Sequence, residues 1–270
     1  MSIHPTAIID RSAQIDETVS VGPYAVIGPN VILSQGVDIG AHAVIYRDTA
    51  IGPHTKVHAH AVLGGDPQDL KYEGQTTQLV IGASNTFREF STANRGSVGG
   101  GGVTTIGDHN LFMAYSHVAH DCSISNHCVL SNCASLAGHV TVGAHAILGG
   151  LTAVHQHSRI GRCAMLAGGA KVAQDVPPFT LAKGDRAQLY GLNVVGLRRM
   201  GFSKDTIRLL RDVYRDLFQQ PGSQREAVKQ IRQTYFENPE IMELTVFIED
   251  STRGVCRCTT TSTDPSLHSR

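Results

Sequence analysis

Val21-Gly22-Pro23-Tyr24-Ala25-Val26-Ile27-Gly28-Pro29-Asn30-Val31-Ile32-Leu33 carries an aliphatic residue at every sixth place: Val21, Ile27 and Leu33. The stride extends both ways. Upstream lie Ile15, Ile9 and Ile3; downstream lie Ile39, Ile45, Ile51, Val57 and Leu63. After a gap the frame returns at Ile81, Phe87 and Ala93, slips by one residue, and resumes at Ile106. Phe112, Val118, Ile124, Leu130, Leu136, Val142, Leu148, Val154, Ile160, Leu166 and Val172 then follow without a miss. Hydrophobic residues make up 41% of the chain, too few for chance to fill every such place. Neither an α-helix, with a period of about 3.6, nor an alternating strand, with a period of about 2, produces this stride.

Small residues often follow the aliphatic one, as in Val21-Gly22, Ile39-Gly40, Ile51-Gly52 and Val142-Gly143. The pattern predicts a short strand and then a turn of unusual φ/ψ, for which glycine is suited, repeated many times. Three hexads make one triangular coil of about 18 residues with the aliphatic side chain inward on each side. About nine coils, stacked roughly 4.8 Å apart, give a prism roughly 40 Å tall. The expected class is mainly β, a parallel β-helix followed by a small α-helical domain.

Two segments break the stride: 64–80, with Gln68-Asp69-Leu70-Lys71-Tyr72, and 94–105, with four consecutive glycines from Gly99 to Gly102. Long loops on a rigid scaffold are candidate site elements; the plainer alternative is a tolerated surface insertion. The glycine run lacks the GK[ST] ending of a phosphate loop. Beyond Pro177-Pro178 the stride ends. A helical pattern begins at Ser203 and breaks at Pro221-Gly222. Ser223-Gln224-Arg225-Glu226 has the form of a capping box. A further helix is expected near 240–249, and the tail from Cys256 is expected to fray.

Composition excludes several classes. The 270 residues carry 23 basic and 23 acidic side chains, with 17% charged residues overall. A neutral chain is ill suited to nucleic-acid binding driven by counterion release. No apolar run is long enough to span a bilayer, and the N-terminus has no secretory signal pattern, so a cytoplasmic setting is expected. Cys122, Cys128, Cys133 and Cys163 read as reduced, small core residues; Cys256 and Cys258 read as incidental to the tail. Residues 198–232 carry nine basic and four acidic side chains, a patch that could steer an acidic partner or be a solvated helix face.

Seven of the fourteen histidines lie between 117 and 157. On an 18-residue coil, His117, His120, His139, His155 and His157 fall along one edge of three successive layers. That phase allows two chemistries: a zinc site through His117-x-x-His120, or general-base catalysis by His120 oriented by Asp121. Phase alone leaves both open.

The hexads resemble the hexapeptide-repeat acyltransferases, whose fold is a left-handed parallel β-helix. The local strings are more specific. His117-Val118-Ala119-His120-Asp121-Cys122, Leu136-Ala137-Gly138-His139-Val140, Thr152-Ala153-Val154-His155-Gln156, Val172-Ala173-Gln174-Asp175-Val176-Pro177-Pro178 and Ser251-Thr252-Arg253-Gly254 are similar to the UDP-N-acetylglucosamine O-acyltransferase family of lipid A synthesis. The resemblance implies an acyltransferase β-helix over 1–182, a helical domain over 183–254 and a polar tail without fixed structure over 255–270. It implies transfer of a (3R)-hydroxyacyl chain from acyl carrier protein to the 3-hydroxyl of UDP-N-acetylglucosamine, with His120 as general base, Asp121 orienting it, and the Gly138 N–H as oxyanion donor. Gln68, Asp69, Lys71, His117, His139, His155, Gln156, Asn193 and Arg199 match binding positions, and Gly168 the position that sets acyl length. The resemblance implies a homotrimer with sites between prisms, and neither cofactor nor metal. Val195 stands where the family commonly has an acidic residue and Arg186 where it commonly has His, two departures at positions that bear on nucleotide recognition. Two alternatives remain at this stage. A related N-acyltransferase would be expected to carry an extra N-terminal domain, whereas hexads here begin at Ile3. A γ-class carbonic anhydrase would need a His-x4-His spacing, which His117 and His120 lack.

Overall fold

The computed structural model describes residues 2–258. Strands of mostly two residues form three sheets of eleven, nine and eight strands, parallel except for the last strand of the largest, and these are the sides of a triangular left-handed β-helix. Each strand pairs with the strand one coil on: Ile3 with Val21, and Ile106 with Ile124, eighteen residues apart. The loops change that interval. Ile51 pairs with Ile81, thirty residues on, and Ile81 pairs with Ile106, twenty-five on. The first loop thus adds twelve residues, two whole hexads, and the frame survives it. The second adds seven, so the frame slips by one.

The inward column is the core. Ile27, Ile39, Ile45, Leu63, Phe87, Phe112, Leu130, Leu148 and Leu166 are all 1% exposed or less, and the Phe87 and Phe112 rings stack at 4.4 Å. Four places after each aliphatic, a second small side chain also points in: Ala25, Ala43, Cys128, Ala146 and Ala164 are fully buried. Burying one such aliphatic side chain contributes about 1.5–3 kcal/mol. All six cysteines are free thiols, and burial pushes Cys122 and Cys128 up to about 12.

The turns depart from the expectation. Apart from Gly64, the glycines directly after the aliphatic residues are not in the left-handed region. A Cβ on Gly22, Gly40 or Gly143 would lie 2.6–2.9 Å from the backbone of the next coil, so these glycines permit close stacking. The left-handed residue stands two places later and is seldom glycine. Tyr24, Asn30, His42, His60, Phe90, Tyr115, Asp121, His139 and His157 all have φ between 56° and 64°. Histidine, asparagine and aspartate tolerate that region better than most residues. Successive turns stack their rings: Tyr24, His42, His60, Phe90 and Tyr115 form one ladder with centroids about 5.0–5.1 Å apart. His109, His127 and His145 form another. Much of the histidine content therefore builds corners.

After the last coil, Thr180–Lys183 pairs with Met165–Leu166 and turns back into the antiparallel strand Gln188–Leu192. Four helices follow: α1 (Val194–Arg199), α2 (Lys204–Phe218), α3 (Gln224–Thr234) and α4 (Pro239–Glu249). The short α1 had no signal in the periodicity. Ser203 caps α2 through Thr206 N–H and Asn238 caps α4 through Ile241 N–H, but Ser223 makes no side-chain cap bond, so the expected capping box does not form. Helix α4 is tied to the prism by the Arg162–Glu243 ion pair and by Arg159, which lies over Phe247 and binds Asp175. The tail expectation fails for its first residues. Cys256 is 1% exposed, its N–H donates to the Asp175 carbonyl at 2.8 Å, and Val255 bridges to Asp175. The remainder of the expected tail, 259–270, lies outside the described residues.

Candidate active site

Asp121, His139 and His157 occupy the same corner of three successive coils, each in the left-handed conformation. His120 stands one residue before Asp121. Its Nδ1 lies 2.7 Å from Asp121 Oδ2, and its ring packs edge-on against His139 with centroids 5.2 Å apart. The imidazole is 12% exposed and the Asp121 side chain 1%. The base candidate thus sits at the surface of the prism and its carboxylate is sealed beneath it.

Asp121 accepts on both oxygens. The Ser97 N–H donates to Oδ1 at 2.8 Å and the Ser97 hydroxyl to Oδ2 at 2.6 Å, while His139 Nε2 lies 3.7 Å from Oδ2. An ionised carboxylate can only accept, so with Asp121 ionised the His120 proton resides on Nδ1. Among the described residues His120 Nε2 has no hydrogen-bond partner. Histidine orientation by a carboxylate in this way is the usual device for fixing a tautomer.

Gly138 lies one coil above His120. A Cβ there would be 2.6 Å from His120 Cε1 and 2.8 Å from Nε2, so only glycine lets the two coils close at this point. Proline fills the place two residues after the aliphatic at Pro5, Pro23, Pro29 and Pro53, so the coil does not require an N–H there. Proline is tolerated only where the N–H is not required. Among the described residues the Gly138 N–H has no acceptor, which leaves a donor beside His120.

Both loops meet over this corner. Asp69, Lys71 and Tyr72 of the first, Ser97 of the second, and His139 and His157 of the prism line a cleft of about 230 Å³. Asp69 and Lys71 of the first loop thus line this cleft. Arg95, which the stride gave no reason to single out, locks the loops together. It is 1% exposed and donates to the Gly64 carbonyl, to Asp66 and, at 3.1 Å, to the Tyr72 hydroxyl. The glycine run was the one sequence signal for Ser97 and Gly100; Gly100 abuts the Asp121 carboxylate, where a Cβ would lie 2.0 Å from Cγ.

The other expected residues are spread more widely. His117 bonds the Thr92 hydroxyl through Nδ1 at 2.7 Å. Burial, with the positive potential of His120, holds its pKa below the ordinary histidine value. His139 is also held low, by burial first, with His157 and His120 adding to it and Asp121 opposing. His155 faces Arg253, whose Nη2 lies 3.3 Å from its Nδ1, and Gln156 is exposed beside it. Gln68 is exposed outside the cleft lining. Asn193 has an internal role: it caps α1 through Gly196 N–H and donates to the Cys163 carbonyl, both at 3.0 Å. Arg199 is exposed at the end of α1. Gly168 is exposed, and a Cβ there would meet only the Gly150 carbonyl at 3.4 Å. For a metal, His120, Asp121 and His139 are the one three-donor group among the described residues, within 4.8 Å; His117 is not part of it. Its Asp121 oxygens already accept the bonds described above.

Residues 175–256 match the family model described as the second domain of UDP-N-acetylglucosamine O-acyltransferase. A relative from Burkholderia lata, named acyl-[acyl-carrier-protein]–UDP-N-acetylglucosamine O-acyltransferase, is 51% identical over 259 residues, 94% of this chain and 99% of its own. One of the same name from Anaeromyxobacter sp. (strain K) is 49% identical over 95% of this chain and all of its own length. The crystal structure of UDP-N-acetylglucosamine O-acyltransferase from Moraxella catarrhalis superposes with a TM-score of 0.93 at 40% identity, covering 95% of this chain and 100% of that one.

Proposed function

Because this chain belongs to the UDP-N-acetylglucosamine O-acyltransferase family, we propose the following reading of its site. The protein is an enzyme that transfers an acyl group from acyl carrier protein to a hydroxyl of UDP-N-acetylglucosamine. His120 Nε2 takes the proton of the sugar hydroxyl as the oxygen attacks the thioester carbonyl. The sugar oxygen–carbonyl carbon bond forms, and the carbon–sulfur bond then breaks to release the carrier thiol. The proton held by His120 passes to the departing sulfur. The single observation carrying this reading is the His120 Nδ1–Asp121 pair at 2.7 Å, which leaves Nε2 open beside the Gly138 N–H, unpaired among the described residues. An alcohol is a weak nucleophile near neutral pH, and a positioned base contributes typically about 10²–10⁴-fold. The Gly138 N–H is suited to the oxyanion of the tetrahedral intermediate.

The acceptor position is the 3-hydroxyl, the donor a (3R)-hydroxyacyl chain, and the pathway lipid A synthesis, carried out in the cytoplasm. Among the described residues no helix is long and apolar enough to cross a membrane. The active form is a homotrimer. Ligand pockets usually span about 300–1,000 Å³, so the cleft of about 230 Å³ in one chain needs a further wall. A neighbouring prism would supply it and bring His155, Gln156 and Arg199 to the sugar nucleotide. The exposed Arg208 and Arg211 of α2 offer an acidic carrier protein a dock.

Turnover with UDP-N-acetylglucosamine and a series of hydroxyacyl carrier proteins, with product analysis, tests the reaction and chain length together. His120→Ala is expected to reduce kcat by several orders of magnitude with the fold intact. Near wild-type turnover in that variant would remove His120 from the mechanism.

A further inference from the structure

We propose that Ser97 is a positioning residue for acyl transfer: its N–H and hydroxyl together lock the Asp121 carboxylate in the orientation that keeps His120 in its Nδ1–H form. The inference rests on the reading of His120 as base.

A carboxylate orients an imidazole only if it is itself held. Asp121 is held from three directions. Its own N–H donates to the Thr104 hydroxyl at 2.8 Å, Ser97 N–H reaches Oδ1 at 2.8 Å, and Ser97 Oγ reaches Oδ2 at 2.6 Å. The second loop is built around this contact. Its 3₁₀ turn, Val98–Gly100, begins directly after Ser97, and the Gly100 and Gly102 N–H groups fold back onto the Ser97 carbonyl at 3.0 and 2.8 Å. Gly100 lies so close to the carboxylate that no side chain fits. The run of glycines therefore carries one serine onto one carboxylate.

The consequence is chemical as well as geometric. Oδ2 serves both the Ser97 hydroxyl and His120 Nδ1. Without the hydroxyl, the negative charge on Oδ2 is shared with imidazoles alone, His120 at 2.7 Å and His139 at 3.7 Å. The protonated ring is then held more tightly, and the base becomes active only at higher pH. The ring also loses the fixed plane of its partner. Both effects act through the imidazole, although Ser97 also lines the cleft.

Ser97→Ala is expected to lower kcat about 10-fold, the scale of one hydrogen bond to a charged group. The KM values for both substrates stay within about twofold. The acid limb of the kcat–pH profile moves to higher pH. Ser97→Thr, which keeps the hydroxyl, restores both kcat and the limb. In an Asp121→Asn background, Ser97→Ala adds less than about twofold, because the two act through one carboxylate. If Ser97→Ala does not fold, Ser97→Cys keeps the volume with a weaker donor and should show the same shift in smaller degree. An unmoved acid limb, or full additivity with Asp121→Asn, overturns the proposal. His120→Ala is measured in parallel. Its retention of activity would overturn the base reading and this proposal together; its inactivity with an unaltered Ser97→Ala would overturn this proposal alone.

Discussion

Gly138→Ala tests the geometry of the site most directly. The added Cβ would stand 2.6 Å from His120 Cε1 and 2.8 Å from Nε2. Carbon atoms pack without repulsion at about 3.5–4.0 Å, so the ring must retreat by about 1 Å. The Gly138 backbone cannot yield instead, because its carbonyl accepts the His157 N–H at 3.1 Å and the next residue's N–H is bonded to the His120 carbonyl at 3.0 Å. Gly138 is not in the left-handed region, so alanine strains no dihedral. A displacement of about 1 Å in a catalytic group costs on the order of 10²-fold in rate. We expect kcat to fall about 100-fold with the thermal midpoint displaced by no more than a few degrees. The assay is steady-state acyl transfer from a hydroxyacyl carrier protein, beside a thermal melt of the same preparation. A variant with at least half the wild-type kcat would refute the placement of Gly138 against the base.

Three further expectations follow from other parts of the molecule. His117, His139 and His145 all have pKa values lowered mainly by burial, so the unfolded chain binds protons at these sites before the folded one does. Stability from this source is complete above the ordinary histidine range, near pH 6.5, and is lost as pH falls through that value toward the lowered folded ones. Melting midpoints between pH 7.5 and 5 should decline, and His117→Gln should flatten the decline; a profile indifferent to that substitution refutes the assignment. Arg95→Met removes the donors to Gly64, Asp66 and Tyr72, and should destabilise the protein by about 2–3 kcal/mol, exposing 66–76 to limited proteolysis. An unchanged cleavage pattern would show that the loops hold without it. Gly168→Met should fit without backbone strain, since Gly168 is not in the left-handed region and a Cβ there would meet only the Gly150 carbonyl, at 3.4 Å; it is expected to shift preference toward shorter acyl donors, and an unchanged donor profile would remove Gly168 from chain-length selection.

The hexad was legible because a β-helix is a one-dimensional object. Each coil touches mainly its neighbours, so the inward aliphatic column from Ile3 to Val172 is written directly into the sequence period. Even the loop lengths could be read from it, since the twelve-residue insertion preserves the frame and the seven-residue one shifts it. The period also gave the layer of each histidine, and it brought His120, His139 and His157 to one edge. It did not distinguish a corner from a side. His155 lies one place after the column and turns toward Arg253; His157 lies three places after it and joins the stack.

The sequence by itself determined the repeat, the stacking order and the His120–Asp121 pair, because these depend on spacing within one or two coils. The tertiary structure alone decided what surrounds the pair. Ser97 reaches Asp121 from twenty-four residues upstream, Arg95 joins two loops across the prism surface, and Cys256 closes onto Asp175 from the far end of the helical domain. Such contacts follow from where irregular backbone returns to the scaffold. That return is fixed by hydrogen bonds and steric fit between distant segments, for which no period in the chain keeps a record.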